Sequence, residues 1–340
     1  MKVGIIGFGV VGKKRYASIL KNTSYTVDAI SENNSLARKD IPENIEIFED
    51  YQLLIDSAKV DIVFISLPNK FAAEATALSL KKGLHVFCEK PPAKTLAELN
   101  AVKAISEMCP DLKLMYGFNH RFHNSVEEAK FIIQNNTLGN LINMRGVYGK
   151  SQMISFNQDD WRTRREDSGG GILLDQGIHM LDLIRYLSGE NFTQIFSFID
   201  NAFWNFDVED NAYVLMKSSR GIVAQLHSSA TQWRHLFNLE ITMEKGSLVL
   251  GGILTGSKSY GEETLTIITA DPSNDRGAPH EATSKFNKDV SWDNEIKYFA
   301  ESLEKNSPIE RGSIDDAMET MRLIEKIYKA DPIWQEKYYK

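Results

Sequence analysis

The sequence predicts an α/β N-terminal domain with a doubly wound parallel sheet, followed by an α+β C-terminal domain with a large, mostly antiparallel open sheet. Three observations predict this division. Short β-branched runs alternate with helix-like segments up to about residue 118, a glycine-rich stretch follows the first run, and longer strands of alternating polarity dominate from residue 119 onward. Strands that alternate with helices form βαβ units and a parallel sheet, whereas alternating strands joined by short turns pair antiparallel.

The first half alternates strand and helix along its whole length. Right-handed crossovers between such strands make a doubly wound sheet the expected arrangement. The predicted strands are 2–7, 26–31, 61–67, 85–88 and 113–116, and the predicted helices are 13–20, 51–57, 71–81 and 95–108.

The second half has strands joined by short turns, such as Ser218–Gly221 and Glu244–Gly246. We expect residues 1–118 to form a cofactor domain and residues 119–340 to form a domain for substrate binding and oligomerisation, with helix 314–329 a candidate to pack back on the first domain. The predicted strands are 141–150, 192–200, 211–218, 221–229, 236–244 and 263–270, the predicted helices are 125–134, 175–187, 291–303 and 314–329, and a flexible loop is expected at 271–279.

Composition limits the possible function classes. The formal charge of -7 and the pI near 5.6 disfavour nucleic-acid binding, which needs a basic surface. Two cysteines give no disulfide framework and suit a reducing cytoplasm. The apolar run after Met1 is broken by glycines, so it does not resemble a secretion signal, and no stretch approaches the roughly 20 apolar residues of a membrane span. We therefore expect a soluble, cytoplasmic protein that binds neither nucleic acid nor membrane.

The glycine-rich stretch Gly7-Phe8-Gly9-Val10-Val11-Gly12 directly follows the first strand and opens a helix. In this position Gly7 allows a tight turn, Gly9 lets the backbone approach a pyrophosphate, and Gly12 lets helix and strand pack closely. The helix N-terminus would then stabilise the phosphate charge. The stretch predicts a dinucleotide-binding domain of the Rossmann type.

Glu32 lies 20 residues beyond Gly12, at the end of the second predicted strand. An acidic residue there accepts hydrogen bonds from ribose hydroxyls and repels a ribose 2'-phosphate. Asp28 or Ser31 would take this place if the strand register differs. The sequence therefore predicts NAD as the cofactor, with NADP as the alternative.

Three further motifs carry a resemblance to a known family. They are Asp61–Asn69, Gly83–Pro91 with its Glu-Lys-Pro ending, and Gly169–Asp182 with its three glycines. In this order and spacing the chain resembles the glucose-fructose oxidoreductase / inositol dehydrogenase / rhizopine catabolism (Gfo/Idh/MocA) family over nearly its whole length. The resemblance implies an NAD(P)-dependent sugar or cyclitol dehydrogenase.

The resemblance also implies a catalytic set of Lys90, Asp175 and His179. Lys90 would lie beside the nicotinamide, with a cis bond before Pro91. Asp175 and His179 are four residues apart, so they share one face of a helix. Hydride transfer leaves a hydroxyl proton, for which we expect His179 to be the acid/base, with Lys90 as the alternative base. No metal is expected. The remaining cofactor contacts implied are Leu67, Pro68, Asn69 and Glu89.

The substrate pocket varies within the family, so its residues are candidates only: Asn119, Arg121, Tyr148, Trp161 and Arg162, with His120, Arg164 and Arg165 beside them. The arginines next to the triple glycine could bind a phosphate or carboxylate, or could pair with Glu166 and Asp167. Arg15 likewise could reach a phosphate or be solvated.

Two other functions remain open from the sequence. The family includes a dinucleotide-binding transcriptional co-repressor, so a non-catalytic sensor is one alternative, which a complete proton-transfer set disfavours. An enzyme that runs a closed redox cycle on tightly held cofactor is another. The family's open sheet usually packs face to face, so we expect a homodimer or homotetramer acting on a small sugar-like molecule.

Overall fold

A computed structural model describes residues 1–152 and 160–339. The chain divides into two compact units, each assembled from three segments. The first unit comprises Met1–Asn119, Glu166–Gly169 and Trp292–Met318, and the second comprises His120–Arg165, Gly170–Ser291 and Glu319–Lys340.

The first unit is built on a six-stranded parallel sheet in the order β3-β2-β1-β4-β5-β6, which confirms the predicted doubly wound arrangement. Its central strands are continuous apolar runs because helices cover both faces of such a sheet; β4 is buried at every residue. The strands are β1 (Lys2–Ile6), β2 (Thr26–Ser31), β3 (Glu46–Phe48), β4 (Ile62–Ile65), β5 (His85–Glu89) and β6 (Leu114–Gly117).

The second unit is built on an eight-stranded sheet in the order β14-β13-β12-β11-β7-β10-β9-β8. The described strands pair antiparallel except β7 with β10, which pair parallel, so the sheet is mixed and mostly antiparallel as expected. The strands are β7 (Leu141–Gly149), β8 (Phe192–Asp200), β9 (Asn211–Ser218), β10 (Val223–Ser229), β11 (Leu236–Met243), β12 (Gly246–Gly251), β13 (Glu263–Thr269) and β14 (His280–Phe286).

The eight predicted helices are present, and three short helices at 35–38, 165–168 and 332–338 were not predicted. One further difference bears on function. The helix predicted from Asp175 begins as a π-helical turn, Leu173–Gly177, and becomes α-helical at Ile178. The α-helices are α1 (Val10–Asn22), α2 (Ser35–Arg38), α3 (Tyr51–Ser57), α4 (Asn69–Lys81), α5 (Leu96–Met108), α6 (Asn124–Gln134), α7 (Arg165–Ser168), α8 (Ile178–Ser188), α9 (Ser291–Glu304), α10 (Ile314–Ala330) and α11 (Pro332–Tyr338). Within the described residues no helix combines the length and the apolar character that crossing a membrane requires.

The turn before α8 is held by a buried carboxylate. Glu209 accepts hydrogen bonds from the backbone N–H groups of Gly171 (2.8 Å) and Leu173 (3.0 Å) and from the hydroxyl of Tyr328 (2.7 Å). A Cβ on Gly171 would lie 2.1 Å from the carbonyl oxygen of Glu209, so the backbone passes too closely for any side chain there. The triple glycine thus fixes the start of α8 against the sheet.

Candidate active site

The glycine loop after β1 has the geometry that its motif requires. Gly7 has a φ of +88°, and a Cβ on Gly12 would lie 2.0 Å from the carbonyl oxygen of Gly7. By contrast, apart from its two chain neighbours, no described residue has an atom within 4 Å of a Cβ built on Gly9. Gly7 and Gly12 are therefore required by the protein's own backbone, whereas Gly9 leaves space in front of the loop.

The N-terminus of α1 can receive an anion. Among the described residues no side chain caps this helix end, whose N-cap is Gly9, so its first N–H groups lack the usual side-chain acceptor. Val10 is exposed while Phe8 is buried beneath the loop. Open space in front of uncapped N–H groups fits a dinucleotide pyrophosphate.

Glu32 occupies the predicted acidic position. It follows the last residue of β2, and its carboxylate accepts hydrogen bonds from the backbone N–H groups of Phe8 (2.7 Å) and Asn34 (2.9 Å). The two alternatives do not fit, because Ser31 is buried within the strand and Asp28 pairs with Lys2 at 3.0 Å. The register therefore places Glu32 against the glycine loop.

The other predicted cofactor residues follow the next two strands. Ile6, Ile65 and Cys88 are in register across β1, β4 and β5, so the three strands end at the same edge of the sheet. Leu67 and Pro68 are half-buried in the turn after β4. The side-chain amide of Asn69 is buried and donates to the carbonyl oxygen of Ser168 at 2.7 Å.

The Glu-Lys-Pro ending closes β5. The Lys90–Pro91 peptide bond is cis, as the family resemblance implies, and Lys90 is half-buried. Glu89 accepts a hydrogen bond from Nε of Arg15 at 2.6 Å. Both readings of Arg15 from the sequence were wrong, because this guanidinium is fully buried in an ion pair and neither reaches a surface phosphate nor meets solvent.

The second unit carries Asp175 and His179 at the start of α8. Asp175 lies in the π-helical turn, partly exposed, and its carboxylate pairs with Nζ of Lys150 at 3.1 Å. His179 lies in the first turn of α8 and is 6% exposed. Its ring stacks on that of His120, with centroids 3.7 Å apart and planes 17° apart. A carboxylate, an ammonium group and two imidazoles therefore lie around one helix start.

Hydroxyl groups surround this set. The hydroxyl of Tyr148 lies 3.1 Å from Nε2 of His120, and the rings of Tyr148 and Tyr260 meet edge to face with centroids 5.3 Å apart. The side-chain amide of Gln176 donates to the hydroxyl of Tyr260. Burial raises the pKa of Tyr148 and raises that of Tyr260 to about 12. Both hydroxyls therefore remain protonated at neutral pH.

Arg121 was predicted to bind substrate, and the structure corrects this. Its guanidinium is 1% exposed and binds Asp182 through Nε (2.7 Å) and Nη2 (2.6 Å), beneath the ring of Tyr186. This paired, buried group anchors α8 and is not accessible to a ligand. Asn119, also buried, lies in a 3₁₀ turn at the end of the first unit.

Two of the arginines before the triple glycine, Arg162 and Arg165, bind different kinds of partner. Arg162 pairs with Asp160 at 3.0 Å and stacks on Trp161, so its partner differs from both predicted carboxylates. Arg165 lies over the ring of Tyr338, 4.1 Å from its centroid, and donates to the hydroxyl of Tyr339.

Three of the residues around Asp175 and His179 were not recognised from the sequence as functional residues, namely Lys150, Gln176 and Tyr260, whereas His120 was among the candidates for the substrate pocket. Lys150 follows β7 and Tyr260 lies in a loop, so neither belongs to a motif. Gln176 lies within the recognised helix motif, and its residue type alone gave no functional signal. Among the described residues, no three His, Cys, Asp or Glu side chains cluster as metal ligands.

Comparisons with known proteins agree with this architecture. A family profile described as an oxidoreductase family with an NAD-binding Rossmann fold matches residues 1–118, and a profile for the GFO/IDH/MocA C-terminal domain matches residues 126–249. The chain is 32% identical to D-glucoside 3-dehydrogenase of Escherichia coli over 56% of this chain and 54% of that protein, and 24% identical to myo-inositol 2-dehydrogenase of Thermotoga maritima over 91% and 90%. The structure of levoglucosan dehydrogenase in complex with NADH superposes with a TM-score of 0.86 at 21% identity, covering 98% of this chain and 97% of that one, which shows a shared fold.

Proposed function

We propose, from the premise that the chain belongs to the Gfo/Idh/MocA family of NAD-binding oxidoreductases, that it is an NAD-dependent dehydrogenase. It transfers a hydride between nicotinamide and a carbinol carbon of a sugar, cyclitol or nucleotide-linked sugar. The observation that carries this proposal is the common edge of β1, β4 and β5, where the glycine loop, Leu67–Asn69 and Glu89–Lys90 follow neighbouring parallel strands. Ligands of doubly wound sheets bind at such carboxyl ends, where the strand order reverses.

Within this proposal residues 1–118 hold the cofactor. The backbone of Gly7–Gly12 and the N-terminus of α1 bind the pyrophosphate, and Glu32 binds the adenine-side ribose. Leu67, Pro68, Asn69, Glu89 and Lys90 lie on the nicotinamide side. NAD, when bound, accepts or supplies the hydride. The Glu32 carboxylate, held against the glycine loop by two backbone N–H groups, would repel a ribose 2'-phosphate, which supports NAD over NADP.

Residues 119–340 bind the substrate and move its proton. His179 takes the hydroxyl proton on oxidation, Lys90 positions the reacting oxygen, and Asp175 orients the substrate. The ammonium group of Lys150 lies 3.1 Å from the carboxylate of Asp175 and holds it from one side. The stack of His120 on His179 restrains the ring plane, which a proton acceptor needs for aligned transfer.

The surroundings support a neutral polyol over an acidic sugar. Arg121 binds Asp182, Arg162 binds Asp160, and Arg165 is surrounded by aromatic rings, so these three arginines have partners within the protein. The ammonium group of Lys150 is paired with Asp175, and the other groups nearby include an amide and hydroxyls, which recognise sugar hydroxyls. Two relatives are named for neutral sugar or cyclitol substrates, a glucoside and myo-inositol. Tyr148, Asn119, Trp161 and Arg162 remain proposed substrate contacts.

Assembly and location are part of the proposal. Strands β8 and β9 expose large apolar side chains, Phe196, Phe198, Tyr213 and Leu215, which support face-to-face packing in a homodimer or homotetramer. Both cysteines are free thiols, which supports the cytoplasm.

The test offers NAD and, one at a time, methyl glucosides, myo-inositol, levoglucosan, sugar phosphates and nucleotide-linked sugars to the purified protein. Near-ultraviolet absorbance reports NADH. We expect a neutral polyol to give a signal that Lys90→Ala and His179→Ala each lose by about a hundredfold or more, with NADH affinity nearly unchanged. Full NADH binding without reduction of NAD by any of these compounds would contradict the proposed activity, and unchanged turnover in a variant would contradict the role of that residue.

A further inference from the structure

A buried charge cluster lies behind the strand end that bears Lys90. Arg15 from α1 contacts two carboxylates, with Nε 2.6 Å from Oε1 of Glu89 and Nη2 2.6 Å from Oε2 of Glu295 on α9. The side chains of Arg15 and Glu295 are 1% and 0% exposed. Three elements distant in sequence therefore meet through one guanidinium.

Aromatic rings and a glycine surround the guanidinium of Arg15. Its guanidinium carbon lies over the rings of Phe87 and Trp292, 4.4 Å and 4.3 Å from their centroids. A Cβ on Gly117 would lie 2.9 Å from Oε2 of Glu89 and 3.2 Å from Nη2 of Arg15, so β6 ends in the one residue that leaves room. A guanidinium in contact with two aromatic rings and paired at two nitrogens has little freedom to move.

The cluster holds two carboxylates for one guanidinium, so full ionisation would leave a buried negative charge. The pKa of Glu295 is raised to about 7, chiefly by burial; the charge of Arg15 lowers it, the nearby charge of Glu89 raises it, and the charge of Arg311 lowers it. One proton is therefore gained or lost around neutral pH, and it resides on Glu295.

The location of the cluster gives it a role in cofactor binding and catalysis. Arg15 lies one helical turn beyond Gly12 of the glycine loop, and Glu89 immediately precedes Lys90. We propose that Arg15, Glu89 and Glu295 form a positioning cluster that ties the glycine loop to the strand end bearing Lys90, and that ionisation of Glu295 loosens this tie. The inference rests on the proposed function for the role of Lys90.

The direction of the effect follows from charge balance. With Glu295 protonated, Arg15 and Glu89 form a balanced pair at 2.6 Å. Once Glu295 is ionised, it competes with Glu89 for the same guanidinium and adds a negative charge in a buried site, which the charge of Arg311 offsets only in part. The glycine loop and Lys90 are then held less firmly, so NADH binding and turnover both weaken above neutral pH.

The experiment measures the NADH dissociation constant by protein fluorescence at about pH 6 and about pH 8, one unit on either side of the Glu295 pKa. Glu295→Gln keeps the shape of the protonated form and removes its ionisation. Glu301→Gln, an exposed carboxylate on the same helix that pairs with Lys305, is the matched control. The ratio of the wild-type dissociation constant to that of the variant at each pH cancels the effect of every other titrating group that the two proteins share.

We expect the wild-type dissociation constant to equal that of Glu295→Gln near pH 6 and to exceed it several-fold near pH 8, with no such change for Glu301→Gln. Arg15→Lys should weaken binding at both pH values, because one ammonium group cannot reproduce the forked contact with both carboxylates. An infrared band of a protonated carboxyl group should be lost through neutral pH in the wild type and be absent from Glu295→Gln.

A ratio that stays the same at both pH values, or a control that changes as Glu295→Gln does, would overturn the inference. Turnover with the sugar panel separates it from the proposed function. Reduction of NAD with a flat binding ratio would refute the cluster and leave the dehydrogenase standing. A rising ratio without reduction of NAD would support the tie between cluster and glycine loop and refute the catalytic proposal.

Discussion

Replacing Glu295 by glutamine should stabilise the protein above neutral pH and change its stability little near pH 5. The carboxylate is completely buried, and its pKa lies near 7 in the folded protein against 4.5 for an ordinary glutamate. Because the folded-state pKa is raised, protonated Glu295 contributes stability that is fully present below about pH 4.5 and is lost as pH rises through about 7. Glutamine resembles the protonated form at every pH.

The magnitude follows from the pKa difference. A shift of about 2.5 units, from 4.5 to about 7, at about 1.4 kcal/mol per unit, corresponds to about 3.5 kcal/mol over the complete transition. Ionisation in the unfolded chain has begun by pH 5, so the difference between variant and wild type should grow by about 2 to 3 kcal/mol between about pH 5 and about pH 8. Other buried acids, such as Glu209, are common to both proteins and cancel.

Urea unfolding of both proteins, followed by circular dichroism at several pH values, measures this difference directly. The slopes of free energy against urea concentration should match, since the variant changes neither fold nor buried area. A difference in the free energy of unfolding that is constant from pH 5 to pH 8, within about 0.5 kcal/mol, would refute the buried, proton-sharing description.

Other expected outcomes test separate parts of the molecule. Glu32→Ala should lower kcat/KM with NAD by about tenfold and reduce the preference of the enzyme for NAD over NADP, because the ribose loses a charged hydrogen-bond acceptor. Equal kcat/KM of the wild type with NAD and with NADP would contradict this role of Glu32. Asp182→Ala should lower the free energy of unfolding in urea by about 3 to 5 kcal/mol, since it leaves Arg121 buried without its carboxylate. Gly9→Ala should keep wild-type thermal stability and lose NADH affinity, whereas Gly12→Ala, with its Cβ 2.0 Å from a backbone oxygen of the loop, should lose both; equal behaviour of the two variants would refute this division of roles.

The fold was predictable where burial left a pattern in the sequence. Strands β4 and β5 read as apolar runs because both faces are covered, and β9 reads as alternation because one face is open. Two strands had no such pattern. β3 has three residues, none of them buried, and β14 is an exposed edge strand without a buried residue. β12 was also missed, although it alternates, because it is short and bounded by glycines.

Residues of the candidate site could be predicted from the sequence where a local motif determines the position of a residue in the fold. Spacing alone selected Glu32, and the glycine loop was found from its own six residues. The arginines were misjudged because their partners are remote in the sequence. The partner of Arg15 on α9 lies at the other end of the chain, and Asp182, which pairs with Arg121, belongs to a different element. Sequence spacing cannot reveal whether a charge is buried, and burial decides whether it serves a ligand or the fold.

In helix α8 and the turn before it, polar residues on one face have two different functions: one anchors the helix, and the others are candidates for catalysis. Asp175, His179 and Asp182 follow one another at helical spacing, so residue type and period give all three the same standing. Burial separates them, because Asp182 is enclosed and paired with Arg121, whereas Asp175 remains partly exposed. The ion pair of Asp182 with Arg121 fixes the helix. The fixed helix in turn holds the carboxylate of Asp175 and the imidazole of His179 near its start. A buried polar residue at the position of Asp182, further along the helix than the catalytic candidates, is therefore better explained as a residue that anchors the helix than as a third catalytic group.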